Sequence, residues 1–308
     1  MDEHVPVLAQ EALAALAVEA GGYYVDATFG RGGHTALILQ AVGREGRVLA
    51  LDRDPAAVAA GRERFADEVR LTLVHAPFAA LGTLVPAHAQ GRPCLGVLFD
   101  LGVSSPQLDD ATRGFSFRAD GPLDMRMDPT HGEPVSTWLA RASLDEIREV
   151  IAELGEERFA RRVAAAILEA RRSHRLERTA ELAALVAKAV RTREPGKHPA
   201  TRTFQALRMF INDELGQLRQ GLDAAVQALA PGGRLAVISF HSLEDRVVKQ
   251  FMRQQSQPDP TWLDLPAPPP GQALRLKLVG RKLRPGEAET HRNPRARSAL
   301  LRVAQRLA

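Results

Sequence analysis

Two clusters of residues have the types and spacing that chemistry needs. The first is Asp26-Ala-Thr-Phe-Gly-Arg-Gly-Gly-His34, where an acidic residue closes a short apolar run and Gly30, Gly32 and Gly33 follow. Such a turn lets the backbone approach a ligand closely. A second apolar run, Arg47–Leu51, ends in Asp52. A carboxylate there can accept hydrogen bonds from both hydroxyls of a ribose. Together these features read as a nucleoside site. The glycine spacing is not G-x-G-x-x-G, the form that sets a dinucleotide pyrophosphate against helix N–H groups. A nicotinamide-dependent oxidoreductase is therefore disfavoured, and a nucleoside cofactor without phosphate, such as S-adenosylmethionine, fits better.

The second cluster, Asp100-Leu-Gly-Val-Ser-Ser-Pro-Gln107, leaves another apolar run. Methylation of an exocyclic amine needs an acceptor here, because the nitrogen lone pair is delocalised into the ring and must be freed as nitrogen becomes tetrahedral. Asp100, Ser104 and His241 are the catalytic candidates. His241 either meets a substrate or bonds its own loop, and Ser242-x-x-Asp245 beside it reads as a helix cap. A base would stack on aromatic side chains, and Phe115 and Phe117 of Arg113-Gly-Phe-Ser-Phe117 are to hand. In Asp124-Met-Arg-Met-Asp128 an ion-pair network around Arg126 is expected, and no metal.

The elements that must position these residues follow from periodicity. Strands are expected at Tyr23–Ala27, Arg47–Leu51, Leu71–His75 and Cys94–Phe99, alternating with helices from His34 to Val42 and from Pro55 to Phe65. That rhythm means βαβ units, a parallel sheet and helices on both faces. Between Pro134 and Arg193 the pattern is helical, with a capping box Ser143-x-x-Glu146 ahead of 144–154, a helix over 157–172 and a third capped by Thr179. Pro195, Gly196 and Pro199 break it. One long helix from Phe204 to Leu229 then leads to the strand Leu235–Ser239, and two last strands are expected at Leu276–Val279 and Ser298–Val303. Pro258 to Pro270 reads as a surface loop. The expected organisation is a discontinuous α/β domain, 1–107 and 204–308, with a helical insertion at 108–203.

Composition sets limits. The chain has 308 residues, 45% of them hydrophobic and 25% charged, which excludes wholesale disorder. A single cysteine excludes an internal disulfide framework. No apolar run is long enough for a membrane, and Met1-Asp-Glu-His4 lacks a basic segment followed by an apolar one, so a cytoplasmic protein is expected. The net charge of +4 hides a gradient. Residues 251–308 carry 11 basic and 4 acidic side chains, against 8 and 12 in residues 1–100. A phosphate-bearing partner at the C-terminal end is one reading of that gradient, and a solvated tail is the other.

The blocks His4-Val-Pro-Val-Leu8, Asp26–His34, Asp100–Gln107, Arg113–Phe117, Gly121-Pro-Leu-Asp-Met-Arg-Met127, Gly155-Glu-Glu-Arg-Phe159, Phe204-Gln-Ala-Leu-Arg208, Ile238–Arg246 and Asn293-Pro-Arg-Ala-Arg-Ser298 occur in this order. In them the chain resembles the bacterial small-subunit ribosomal RNA cytosine-N4 methyltransferase family. The resemblance implies a Rossmann-like S-adenosylmethionine-dependent methyltransferase fold of the α/β class, with an inserted all-helical subdomain for substrate recognition. It implies methyl transfer to the N4 amine of a cytidine in the decoding region of 16S RNA. It also implies cofactor contacts at Gly32, Gly33, His34, Asp52, Phe78, Asp100 and Gln107. With an RNA substrate implied, Arg113, Phe115, Phe117, Arg126, Arg295 and Arg297 are the expected RNA contacts. The alternatives are a DNA amino-methyltransferase and a non-catalytic RNA-binding assembly factor. The sequence does not choose between free RNA and a partly assembled 30S particle, nor between monomer and homodimer.

Overall fold

A computed structural model describes residues 6–191, 198–258 and 273–308. His4, Pro195, Gly196 and nearly all of the Pro258–Pro270 stretch lie outside the described residues. A sheet of seven strands runs through the first of two compact units, which comprises the chain up to Gly102 and again from Leu215. The strands are β1 (Tyr23–Asp26), β2 (Arg47–Asp52), β3 (Leu71–His75), β4 (Cys94–Asp100), β5 (Leu229–Ser239), β6 (Leu276–Leu278) and β7 (Leu300–Arg306). Their spatial order is β3-β2-β1-β4-β5-β7-β6. Neighbours from β3 to β5 are parallel, whereas β7 runs antiparallel to both β5 and β6.

Alternation along the strands gives each face its own core. Tyr23, Val25, Leu49, Leu51, Val97, Phe99 and Val237 join Leu218, Leu222 and Val248 of the helices Glu214–Ala228 and Ser242–Ser256. Tyr24, Val48, Leu98 and Ile238 point the other way, onto Leu16, Ile38 and Val42 of the helices Ala9–Leu16 and Gly33–Val42. No helix of the described residues is long and apolar enough to cross a membrane.

The second unit, Val103–Glu214, has a separate core. Its helices are Ser105–Asp109, Val135–Arg141, Leu144–Gly155, Ala160–Ser173, Thr179–Ala189 and Thr201–Ile211. The Ser143 box forms as expected, with reciprocal bonds between Ser143 and Glu146. The cap assigned to Thr179 does not form. Thr179 is the first helical residue, and its hydroxyl instead accepts the Gly121 N–H at 3.0 Å.

The single helix expected over 204–229 is broken. Asp213 takes a left-handed φ of 46°, and the Asn212 side chain is drawn away to a neighbouring loop. Thr201–Ile211 packs into the insertion core, while the helix from Glu214 packs on the sheet. The units consequently divide at Gly102/Val103 and Glu214/Leu215, outside the expected 107/108 and 203/204.

Asn212 is nearly inaccessible; its Oδ1 accepts the Met127 N–H at 2.8 Å and its Nδ2 donates to the Met125 carbonyl at 2.7 Å. These bonds hold Met125, itself fully buried, at a φ of 64°. Asn212→Ala strands two buried backbone groups, each worth about 1–3 kcal/mol when unpaired. Loss of about 2–5 kcal/mol is expected, read as a lowered midpoint in denaturant unfolding of the insertion; an unchanged midpoint would remove Asn212 as the loop's anchor.

Candidate active site

β1 and β4 lie side by side at the point where the winding of the chain reverses. In open α/β sheets the crevice beyond the carboxyl ends of such strands is where ligands bind. The glycine turn follows β1 there, and Asp100 ends β4.

Asp26 ends β1 and is fully buried. Thr35 Oγ1 donates to its Oδ2 at 2.7 Å and the Thr28 N–H donates to its Oδ1 at 3.2 Å. Burial pushes its carboxyl up, against the pull of His34 and these two bonds. Thr28 Oγ1 also accepts the Asp100 N–H at 2.6 Å, which ties the end of β4 to the turn after β1. Thr28 and Thr35 were not singled out from the sequence, since hydroxyls beside a glycine-rich turn give no periodic signal.

The three glycines do different work. Gly32 has a φ of 74°, and a Cβ there would meet the Phe29 and Phe65 rings at 2.7 Å. At Gly33 a Cβ would lie 3.1 Å from Pro6. The room left by those missing side chains is taken by the protein itself. Gly30 is the open position, with nothing nearer than 3.9 Å. Its N–H donates to Asp52 Oδ2 at 2.7 Å, and the Asp54 N–H donates to Asp52 Oδ1 at 2.8 Å. Asp52 thus braces the turn with one lone pair on each oxygen, and a carboxylate has further lone pairs for two hydroxyls.

Burial raises the Asp52 pKa to about 6, against the two backbone donors and with help from the Asp54 and Asp26 charges. A carboxyl raised in the folded protein contributes stability below its unfolded value and loses it as pH rises through about 6. Ligand affinity should run the opposite way, because only the carboxylate accepts from both ribose hydroxyls. Calorimetric titration with S-adenosylmethionine is expected to give tighter binding at about pH 7.5 than at about pH 5; equal affinity would separate Asp52 from the ribose.

His34 opens the helix after the turn, its ring almost wholly buried. Its Nε2 lies 3.5 Å from Asp100 Oδ2, a charge contact rather than a well-formed hydrogen bond. Burial alone would lower the imidazole pKa, but Asp100, Asp26 and Glu289 together hold it above the ordinary value. Asp100 Oδ1 and His34 Nε2 are buried without a hydrogen-bond partner. Buried polar atoms left open in this way mark places where a ligand donor or acceptor belongs. Phe78 follows β3 and meets Phe99 edge-on, ring centroids 5.4 Å apart, with Gly221 leaving room for its edge.

Other expected site residues are used differently. His241, not Ser242, is the N-cap of Ser242–Ser256. Glu244 Oε2 accepts the Phe240 N–H at 2.9 Å, and His241 Nε2 lies 3.1 Å from Glu244 Oε1. The imidazole Nδ1 is thus engaged in its own loop, accepting the Glu244 N–H at 3.4 Å, while Nε2 is buried with no hydrogen-bond partner beyond its charge contact with Glu244. In the second unit, the Ser104 N–H donates to Gln107 Oε1 at 2.9 Å, a Ser-x-x-Gln capping pattern legible in the sequence.

The structure gives the expected base-stacking and RNA-contacting residues of the insertion partners within the protein. Phe115 is buried in the insertion core, and Phe117 packs on His198 and Phe204 at 4.6 and 4.9 Å. Arg126 grips both oxygens of Asp124 and donates to the Pro129 and Gly132 carbonyls, the ion-pair network expected for that run. Arg113 donates to the Arg126 and Met127 carbonyls and lies over the Phe115 ring. Apolar burial and backbone demand claim these side chains for the fold. Arg295 and Arg297 remain exposed, on either side of the buried Ala296.

A family model described as the MraW methylase family matches residues 1–307. The chain belongs to the MraW methylase family. Among curated relatives, "Ribosomal RNA small subunit methyltransferase H" of Thiobacillus denitrificans is 56% identical over 306 residues, 99% of this chain and 97% of that protein. The protein of the same name from Azoarcus sp. is 56% identical, with 99% and 97% covered. A solved structure titled as a putative rRNA-methylase from Clostridium thermocellum aligns at a TM-score of 0.46 and 14% identity, covering 99% of this chain and all of that one. As an MraW methylase the chain is a methyltransferase whose cofactor is S-adenosylmethionine. The residues fit that cofactor: Asp52 faces a ribose requirement, and the unpartnered Asp100 Oδ1 suits an amino group.

Proposed function

We propose that this protein transfers the S-adenosylmethionine methyl group to the N4 amine of a cytidine in the decoding region of 16S ribosomal RNA. The observation that carries the reading is the match over nearly the whole chain to relatives named for small-subunit ribosomal RNA methylation. The cofactor supplies a methyl carbon on a positively charged sulfur, so no oxidant or reductant is required. Asp52 accepts from the ribose hydroxyls, and Phe78 walls the adenine. Asp100 is assigned first to the cofactor and second to the N–H groups of the target amine, whose lost proton leaves to solvent. Ser104 and Gln107 order the loop that follows. The substrate is taken as RNA, free or within a 30S particle.

The test is methyl transfer from labelled cofactor to naked 16S RNA, assembled small subunits and duplex DNA, followed by nucleoside analysis. N4-methylcytidine from RNA or subunits is the expected result. Strong activity on duplex DNA alone would overturn it, and failure to bind S-adenosylmethionine would favour an assembly factor. Arg295→Ala with Arg297→Ala is expected to weaken RNA binding and flatten its salt dependence by about one to two charges; gel-shift titrations at several salt concentrations measure both.

A further inference from the structure

β6 is the edge of the sheet, and the chain beyond it keeps following β7. After Gly280, at a φ of 66°, Leu283 pairs with Leu301 through reciprocal N–H to carbonyl bonds of 3.0 Å. That pairing fixes a position. Leu283 faces Leu301, Leu301 faces Ile238, and Ile238 faces Asp100 across successive strands. Leu283 and Asp100 thus share one rung of the sheet, about 15 Å apart at the usual strand spacing.

Exposed side chains of this edge and of the chain leading back to β7 are cationic. Lys277, Arg281, Lys282, Arg284, Arg292 and Arg297 are all exposed, and none has an acidic partner among the described residues. Other basic residues of the same region are spent internally: Arg302 on Asp245, Arg275 on Asp223. Of the local acids, Glu289 is committed to the Leu8 N–H. Leu278 and Leu283 are 44% and 42% exposed, among the few large apolar side chains left so open in the described residues.

Lysine and arginine on an edge strand also keep sheets from joining edge to edge. That role would explain Lys277. It does not explain why the cations continue off the strand, through Arg292 to Arg297, to the carboxyl edge of the sheet, where β7 begins and β4 ends.

Resting on the RNA methyltransferase reading, we propose that the edge segment Arg281–Arg284 holds the sugar-phosphate backbone of the substrate RNA a few nucleotides from the target base. Arg281, Lys282 and Arg284 neutralise phosphates, and Leu283 packs against a sugar or base face. Leu283 anchors the segment to β7 through its two bonds with Leu301, and the cations on either side of it are carried at that fixed point. The distance along the rung sets how far from the modified base the strand is gripped.

The test uses the full chain carrying R281E, K282E and R284E together. Glutamates keep the edge charged, so protection from edge pairing survives while phosphate attraction is reversed. The control is R44E, at the amino edge of the sheet just before β2. The triple variant should raise the RNA Kd and the KM for RNA at least tenfold. It should also make the log–log salt slope of binding shallower by about 2, and leave S-adenosylmethionine affinity unchanged. R44E should change none of these. If the wild-type protein methylates small-subunit RNA and the triple variant keeps its KM and salt slope, the edge proposal fails alone. If the variant instead loses binding to anionic lipid vesicles while RNA binding persists, the proposal also fails. If wild-type protein methylates no RNA, the functional reading itself falls.

Discussion

Asp100→Ala is expected to lower methyl transfer at subsaturating cofactor by roughly ten- to a hundredfold, the loss of one or two charge-assisted bonds of about 1.5–3 kcal/mol. The folded state should survive the change. The main-chain N–H of Asp100 is held by Thr28 Oγ1, so the end of β4 keeps its position without the carboxylate. The side chain itself gives up little inside the protein, because Oδ1 has no partner and Oδ2 has only the 3.5 Å contact with His34. A thermal melt close to wild type, with the rate reduced, is the expected pair of results. Raising the cofactor to saturation then divides the two assigned roles. Rate that returns belongs to holding the cofactor, and rate that does not return belongs to holding the target amine. Wild-type transfer at subsaturating cofactor would sink both assignments.

Asp52→Ala should act on a different quantity. Cofactor Kd is expected to rise about ten- to a hundredfold, with stability falling as well, because the Gly30 and Asp54 N–H groups lose their acceptor. Asp52→Asn sharpens the result. It keeps one carbonyl oxygen for one of the two backbone donors but lacks the charge and the second acceptor, so part of the stability should return while affinity stays low. Isothermal titration and denaturant unfolding read the two separately. An Asn variant that binds as tightly as wild type would mean that Asp52 is only a brace for the turn.

Much of this site is legible in the amino-acid order because its determinants are local. A strand-terminal acid, a glycine turn and a second strand-terminal acid lie within thirty or so residues, and parallel βαβ geometry then brings them together. Asp100 lies farther along the chain and is legible as the acid that closes the apolar run of β4. The misplaced caps show where local reading stops. Ser242-x-x-Asp245 and His241-x-x-Glu244 are overlapping patterns, and the second wins because Glu244 is buried, reaching back to the Phe240 N–H. The break at Asp213 was hidden because Asn212 leaves its helix for a loop distant in sequence. Motif matching reports neither the burial of Phe115 nor the internal partners of Phe117 and Arg126. Gly32 looked like a ligand contact, and its immediate constraint is the pair of rings beside it.

The nested arrangement of the two units has a consequence for the order in which the protein is made. β1 to β4 emerge first, and β4 then presents an unpaired edge until β5 follows on the far side of the whole insertion. The insertion carries its own core, so it can condense during that interval as an independent folding unit. Pairing of β4 with β5, and of β5 with β7, is a long-range closure and comes late. Asp100, at the end of β4, acquires its finished surroundings only with that closure. A nascent chain halted before β5 would carry Asp26, Asp52, Asp100 and the glycine turn, with no β5 beside β4.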